Sequence, residues 1–323
     1  MTRLYFTIDT EYEFGFAARH GLDARRENFD RSIRGATPAG EAGIFYQMDV
    51  FERHGMKAVF FVDPMPALAW GTEAIADVVG PILARGHDVQ LHLHTEWLAL
   101  AGEASPLPGR TGRNIKDFDL AGQVRLLEWA IDALVAAGAP RPIAFRAGNY
   151  GANDDTLRAL ARLGIAYDSS HTPGVADSAC EIGLGPEARL PLARCGAIEV
   201  PTGCIADGRG LRHAQLTALS CAELVAAAAH ARDSGTADFT VVSHSFELLS
   251  RDRTRVNRLL KRRFERFCAA LERLPGVATA TYSSDPPRAL PGAATCPPLP
   301  QSAMRKGARM VEQAVANALY GGR

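Results

Sequence analysis

The chain reads as an α/β protein, a distorted barrel of seven or eight parallel strands, (β/α)7-8, in a single domain. Three observations predict this. Short apolar or alternating runs exchange with helix-length amphipathic stretches seven or eight times between residues 3 and 282, a pattern of parallel strands joined by right-handed crossovers. The 323 residues suffice for one large barrel with a sizeable core. Finally, Asp9 with Glu11, His92 with His94, Arg146, Asp168 and His244 all fall at or just past the C-terminal end of an expected strand, the end that carries the site in such barrels. An open doubly wound sheet would alternate in the same way, but no glycine fingerprint follows the first strand.

Segment 3–9 alternates. Leu4, Phe6 and Ile8 share one face and Tyr5, Thr7 and Asp9 the other, with Glu11 continuing the second face if the chain stays extended. Residues 12–38 lack periodicity and predict a long loop over the strand end. A helix is expected over 39–54, and the apolar run 57–62, ended by Asp63-Pro64, predicts a strand buried on both faces. After a helix over 73–85 comes Asp88-Val89-Gln90-Leu91-His92-Leu93-His94, in which Gln90, His92 and His94 share a face. A loop over 101–116, a helix over 117–137, a strand reaching Arg146, a helix over 153–163 capped by Asn153 and a short strand over 165–168 follow. A loop over 171–195 precedes a strand at 197–201, a helix at 220–233, a strand at 239–244, a basic helix at 254–273 and a last strand at 277–282.

These elements place the barrel at 1–285, a Pro-dense linker at 286–300 and an amphipathic tail helix at 301–323. The tail sets Met304, Met310, Val311, Val315 and Leu319 against Arg305, Lys306 and Arg309. Such a helix could cover its own barrel, join a second subunit into an oligomer, or lie on a membrane surface.

Composition excludes several function classes. Basic and acidic residues number 36 each, so nothing electrostatic favours nucleic acid or an anionic membrane. No apolar run approaches the length of a membrane span. The N-terminus enters a strand with no basic or apolar leader, so the cytoplasm is the expected location. Six cysteines at irregular spacings, without a C-x-x-C, predict reduced thiols.

His-x-His on a strand delivers two imidazoles to one face, a metal-ligand spacing, although two histidines hydrogen-bonded in a polar lumen would look the same. A divalent ion held by His92, His94 and a carboxylate would keep positions open for water and substrate. The second carboxylate could take the water's proton, and His244 could protonate a leaving amine or alkoxide. Arg146 could keep the basic carboxylate charged, and Asp168 could do the same for His244.

Five stretches carry a resemblance: Phe6-Thr7-Ile8-Asp9-Thr10-Glu11, Gly55-Met56-Lys57-Ala58-Val59-Phe60-Phe61-Val62, Gly86-His87-Asp88-Val89-Gln90-Leu91-His92, Phe145-Arg146-Ala147-Gly148-Asn149-Tyr150-Gly151 and Val242-Ser243-His244. In order and approximate spacing the chain resembles the polysaccharide deacetylase family, also called the NodB-homology family or carbohydrate esterase family 4, over about residues 3–285. The resemblance implies a distorted β/α barrel that uses a divalent metal, usually Zn2+, to hydrolyse N-acetyl groups of sugars or other linear amides. It implies Asp9 as catalytic base, Glu11 and His92 as metal ligands, Arg146 as the residue orienting the base, His244 as general acid and Asp168 as its support. The motifs also depart from the family pattern. Thr10 stands where a second aspartate is usual, four residues on from His92 is Glu96, Ser169-Ser170 replaces an aromatic, and the proline of the arginine motif is missing. Either His94 or Glu96 then completes the metal site.

The expected function is removal of an acetyl or other acyl group from an N-acylated sugar, with bacterial surface-polysaccharide metabolism as its setting. Two alternatives stand beside it: a metal-free glycosidase using Asp9 and Glu96, and a non-catalytic sugar-binding homologue.

Overall fold

The structure, a computed structural model, describes residues 1–289 and 296–321. Residues 290–295 of the expected linker and the last two of the tail lie outside the described residues.

Nine strands form one curled sheet among the described residues: β1 (Thr2–Thr10), β2 (Val59–Val62), β3 (Asp88–Leu93), β4 (Ala144–Ala147), β5 (Tyr167–Asp168), β6 (Leu192–Arg194), β7 (Ala197–Glu199), β8 (Asp238–His244) and β9 (Val277–Thr279). Their order is β8-β1-β2-β3-β4-β5-β7-β6. Every pairing is parallel except β6 with β7. β1 is central. It pairs with β8 from Arg3 to Asp9, and its other edge takes β9 at Thr2–Leu4 and β2 at Thr7–Thr10.

Irregular chain rather than a strand ladder joins β7 to β8. Val200 N–H donates to Asp168 C=O, Thr202 N–H to His171 C=O and Gly203 N–H to Thr240 C=O. Residues 200–203 thus satisfy backbone groups on both sides of the gap, and this distorts the barrel.

Seven long helices cover the sheet: α1 (Ile44–Arg53), α2 (Glu73–Ala84), α3 (Leu120–Ala136), α4 (Asp154–Arg162), α5 (Cys221–Asp233), α6 (Arg258–Glu272) and α7 (Ala303–Tyr320). The alternation of β1 explains the layering. Leu4, Phe6 and Ile8 join Phe51, Phe264 and Phe267 beneath the helices, whereas Tyr5 joins Val59, Phe61, Ala144 and Tyr282 in a separate lumen cluster. β2 belongs to both clusters, which is why its sequence is apolar without alternation.

The expected elements occur, with differences chiefly in the connections. The loop over 12–38 contains the helix Phe14–His20 and further short turns, and a ribbon of Ala36–Thr37 with Gly40–Glu41 follows it. The helix expected from 39 starts at Ile44, after the turn of that ribbon. The loop over 171–195 ends in β6, which returns antiparallel onto β7. A hairpin of Cys204–Asp207 with Gly210–His213 stands where no strand was expected.

α7 docks on its own barrel, but with the polar face inward. Arg309 is buried against Glu223 (3.1 Å) and Asp207 (2.9 Å), Lys306 reaches Asp207 (2.7 Å), and Glu312 meets Arg263 (2.9 Å). Met304, Met310, Val311, Val315 and Leu319 face solvent. None of the described helices is long and apolar enough to cross a membrane.

Candidate metal centre and active site

β1 and β3 lie on either side of β2, so their ends come together at one end of the lumen. Glu11 Oε2 lies 2.5 Å from His94 Nε2 and 3.3 Å from His92 Nε2. His92 is buried, and its Nδ1 lies 2.7 Å from the carbonyl of Arg146. A proton on Nδ1 makes that bond and leaves the Nε2 lone pair directed at Glu11, as a metal-binding imidazole requires. His94 is held on its other side. Glu96 Oε2 is 3.4 Å from its Nδ1, and the ring packs so closely on Gly148 that a Cβ there would lie 2.7 Å from it.

These groups fit a divalent cation. The three ligand atoms of Glu11, His92 and His94 all lie within 4.8 Å of one another. Glu11 Oε2 is buried with no partner in hydrogen-bond geometry, and so is Asp63 Oδ2; the other Asp63 oxygen accepts from Met65 N–H (3.0 Å) and His94 N–H (3.4 Å). Two imidazoles and a carboxylate suit Zn2+ and its neighbours. Burial opposes ionisation of Glu11, yet the adjacent His94 and His92 hold its carboxyl well below the usual range. An anionic oxygen is thus available, and a cation would compete with a proton for His94. Asp63 differs: burial pushes it up to about 6, against the pull of His94 and His92. Of the two candidates for the remaining ligand, the structure brings in His94. Glu96 stands behind it, on the Nδ1 side.

Asp9 stands beside this cluster. Its Oδ1 accepts from Arg146 Nη1 at 2.7 Å, and its Oδ2 lies 3.9 Å from His244 Nε2. Arg146 is wholly buried on β4. It donates to Thr7 Oγ1 (2.9 Å), Ser169 Oγ (3.1 Å) and the Ser169 carbonyl (3.1 Å), and stacks 4.4 Å from the centre of the Phe61 ring. All three guanidinium nitrogens are engaged, so the geometry at Asp9 is rigid. Ser169, one of the two departures after Asp168, supplies two of those acceptors.

The support expected from Asp168 for His244 is not present. β5 and β8 are separated by four strands, and in the register Asp168 faces Glu199 of β7. Asp168 accepts from Ser170 Oγ (2.7 Å) and Ser170 N–H (3.2 Å). Burial raises both Asp168 and Glu199, and the like charge of Asp168 pushes Glu199 well up.

Glu247 takes the place expected of Asp168. Its Oε2 accepts from His244 N–H (3.1 Å) and lies 3.8 Å from Nδ1, while Oε1 accepts from Gln215 (2.5 Å) and Thr217 (2.6 Å). Burial opposes charging His244, but Glu247 and then Asp9 outweigh it and raise the ring to about 9. Its position three residues after His244, in a turn following β8, was the available signal. Tyr150 was also missed. Its hydroxyl is buried without a hydrogen-bond partner and feels the charges of Arg146 and Asp9. Asn149 and Tyr150 both have positive φ, of 55° and 57°, a strained pair of residues just after Arg146 and Gly148.

No protein-family model matches the chain, nor does any curated protein. Solved structures do. A Mycobacterium smegmatis protein assigned as a polysaccharide deacetylase superposes with TM-score 0.55 at 18% identity, covering 87% of each chain. The 4-alpha-glucanotransferase of Thermococcus litoralis superposes with TM-score 0.53 at 13% identity, over 90% of this chain and 41% of that one. A family 4 carbohydrate esterase from Streptomyces lividans, in complex with acetate, gives TM-score 0.45 at 12% identity, over 92% of this chain and 98% of the other. The chain has the deacetylase-type distorted β/α barrel. Because the glucanotransferase superposes as well, the reaction has to be argued from the side chains.

Proposed function

We propose that this protein is a divalent-metal-dependent hydrolase, with Zn2+ the expected ion, that removes an acetyl or other acyl group from an N-acylated sugar by cleaving a linear amide C–N bond. One observation carries the reading: a carboxylate fixed by a buried arginine on one oxygen and facing a histidine with the other, beside a two-imidazole, one-carboxylate cluster. The barrel shared with the Mycobacterium smegmatis protein supports it by analogy.

Glu11, His92 and His94 would hold the ion, which when bound polarises the scissile carbonyl and brings the pKa of a water toward about 7. Asp9 is the base. Its Oδ1 is committed to Arg146, so the proton of the attacking water goes to Oδ2. Arg146 fixes the orientation of Asp9 for that transfer. His244 is the acid: protonated at neutral pH, it gives its Nε2 proton to the leaving nitrogen, while Glu247 steadies the ring from the Nδ1 side.

The outward apolar face of α7 supports self-association of the protein, since Met304, Met310, Val311, Val315 and Leu319 stay exposed among the described residues.

The test loads purified protein with zinc, nickel or cobalt and measures bound metal and acetate release from N-acetylglucosamine oligomers. His92→Ala is expected to lose stoichiometric metal. Asp9→Asn is expected to keep it and to lose two to four orders of magnitude in rate, roughly what a general base contributes. Protein that binds no metal, with His92→Ala indistinguishable from the parent, would sink the proposal.

A further inference from the structure

A cleft of about 890 Å³ opens beside His244, between the turn that follows β8 and the inner face of α7. It reaches His244 from the Glu247 side and runs out past Phe246, Arg251 and Arg253 to Asn317 and Tyr320 near the end of the tail helix. A backbone hydrogen bond ties the two walls together there, with Arg251 N–H donating to Tyr320 C=O (2.9 Å).

The charges lining this cleft do not balance. Its single carboxylate among the described residues is Glu247, and both oxygens of Glu247 are spent on Gln215, Thr217 and the backbone and ring of His244. Three guanidinium groups oppose it. Arg263 is neutralised by Glu312 at 2.9 Å and donates to the carbonyl of Leu216. Arg253 lies 3.7 Å above the Phe246 ring, donates to Ser32 Oγ (2.7 Å) and has Glu13 at 3.5 Å, a carboxylate that it shares with Arg19. Arg251 is exposed and has no ion-pair partner among the described residues. In a chain with no net charge, this cleft holds surplus positive charge next to the group that protonates the leaving nitrogen.

We propose that the cleft binds an oxyanion, a carboxylate or a phosphate, with Arg251 as its principal ligand and Arg253 as the second positive group. Guanidinium forks suit both anions, and a partly enclosed cleft screens the attraction less than open water does. Asn317 and Tyr320 on α7 add polar and aromatic surface for the hydroxylated body of a sugar that carries the anion. As an anion site the cleft stands without the hydrolase reading. As the subsite for the amine portion of an acidic N-acylated sugar it rests on that reading. It also gives α7 a role in the site, since the tail helix forms one wall.

The experiment titrates full-length protein, by calorimetry at low salt, with D-glucuronate, glucose 6-phosphate and glucose. At least one anion is expected to bind tenfold or more tightly than glucose, and the preferred anion tells carboxylate from phosphate. Arg251→Gln, which removes no side-chain hydrogen bond or ion pair among the described residues, is expected to weaken that anion about tenfold. Asn317→Asp, on the opposite wall, should weaken it too by adding a negative charge. Arg251→Gln is expected to bind as much zinc as the parent, so loss of the hydrolase reading and loss of the anion site register separately. Glucose binding as tightly as both anions, or anion affinity unmoved by Arg251→Gln and Asn317→Asp, would overturn the proposal.

Discussion

Two buried arginines organise opposite parts of this molecule. Arg146 in the lumen holds Asp9, and Arg309 under the tail helix holds Asp207 and Glu223. Both are almost completely buried and both neutralise carboxylates. The difference is what each leaves unspent. Asp207 faces Lys306 with one oxygen and Arg212 and Arg309 with the other, so its charge is consumed in docking α7. Asp9 commits one oxygen to Arg146 and keeps the second free in front of His244. A buried ion pair is a staple when all its lone pairs are engaged and a candidate site when one is left over.

The largest effect is expected at Arg146. Arg146→Met would break the buried pair with Asp9, costing about 3–5 kcal/mol as for other broken buried pairs, and would abolish turnover. Denaturant melts together with activity measure both. A variant as stable as the parent would show that the pairing with Asp9 contributes nothing to the fold and that the contrast with Arg309 is mistaken.

Arg309→Met should cost less, about 1–3 kcal/mol, because α7 can swing away and return Glu223 and Asp207 toward water. Limited proteolysis should then cut within 303–320 at a protease level that leaves the parent intact, while bound metal stays stoichiometric. Loss of metal in this variant would mean that the staple and the site are one cooperative unit.

Glu247→Gln sharpens the comparison within the site. Its carboxylate is the main influence raising His244 to about 9, so the alkaline limb of kcat/KM should lie near that value in the parent and move down toward about 6.5 in the variant. The sign follows from a raised folded value: charged His244 contributes fully below about 6.5 and its contribution is lost as pH rises through about 9. An unmoved limb would assign the titration to another group.

The smallest effect is expected from acid on the tail. Although burial opposes ionisation of Asp207, its cationic partners hold the carboxyl well below the ordinary value. Such a group contributes stability above about 3.9 that disappears as pH falls below it. Hydrogen exchange in α7, corrected for intrinsic rates, should therefore be faster near pH 3 than near pH 6, before the barrel strands lose protection.

Much of the barrel was legible because burial writes a pattern. The alternation in 3–9 separates Leu4, Phe6 and Ile8 from Tyr5, Thr7 and Asp9, and the structure puts the two sets in different layers. The spacing of His92 and His94 likewise survives as a shared direction toward Glu11. The tail reads in sequence as a helix with an apolar stripe, and the natural expectation buries that stripe. Here the stripe faces out, because Arg309 finds two carboxylates brought together by the hairpin at 204–213 and α5. Two carboxylates from distant segments leave no periodic trace.

The parallel β/α architecture, the set of polar side chains at the strand ends and the pair of imidazoles on β3 were all readable along the chain, since each follows from periods of two and 3.6. Which side chains meet depended on the packing of distant segments. That packing gave His244 to Glu247 instead of Asp168, placed His94 ahead of Glu96 beside Glu11, and turned the polar face of α7 onto the barrel. Strand order and register set those partnerships, and they depend on how distant segments close around one lumen, which no local period encodes.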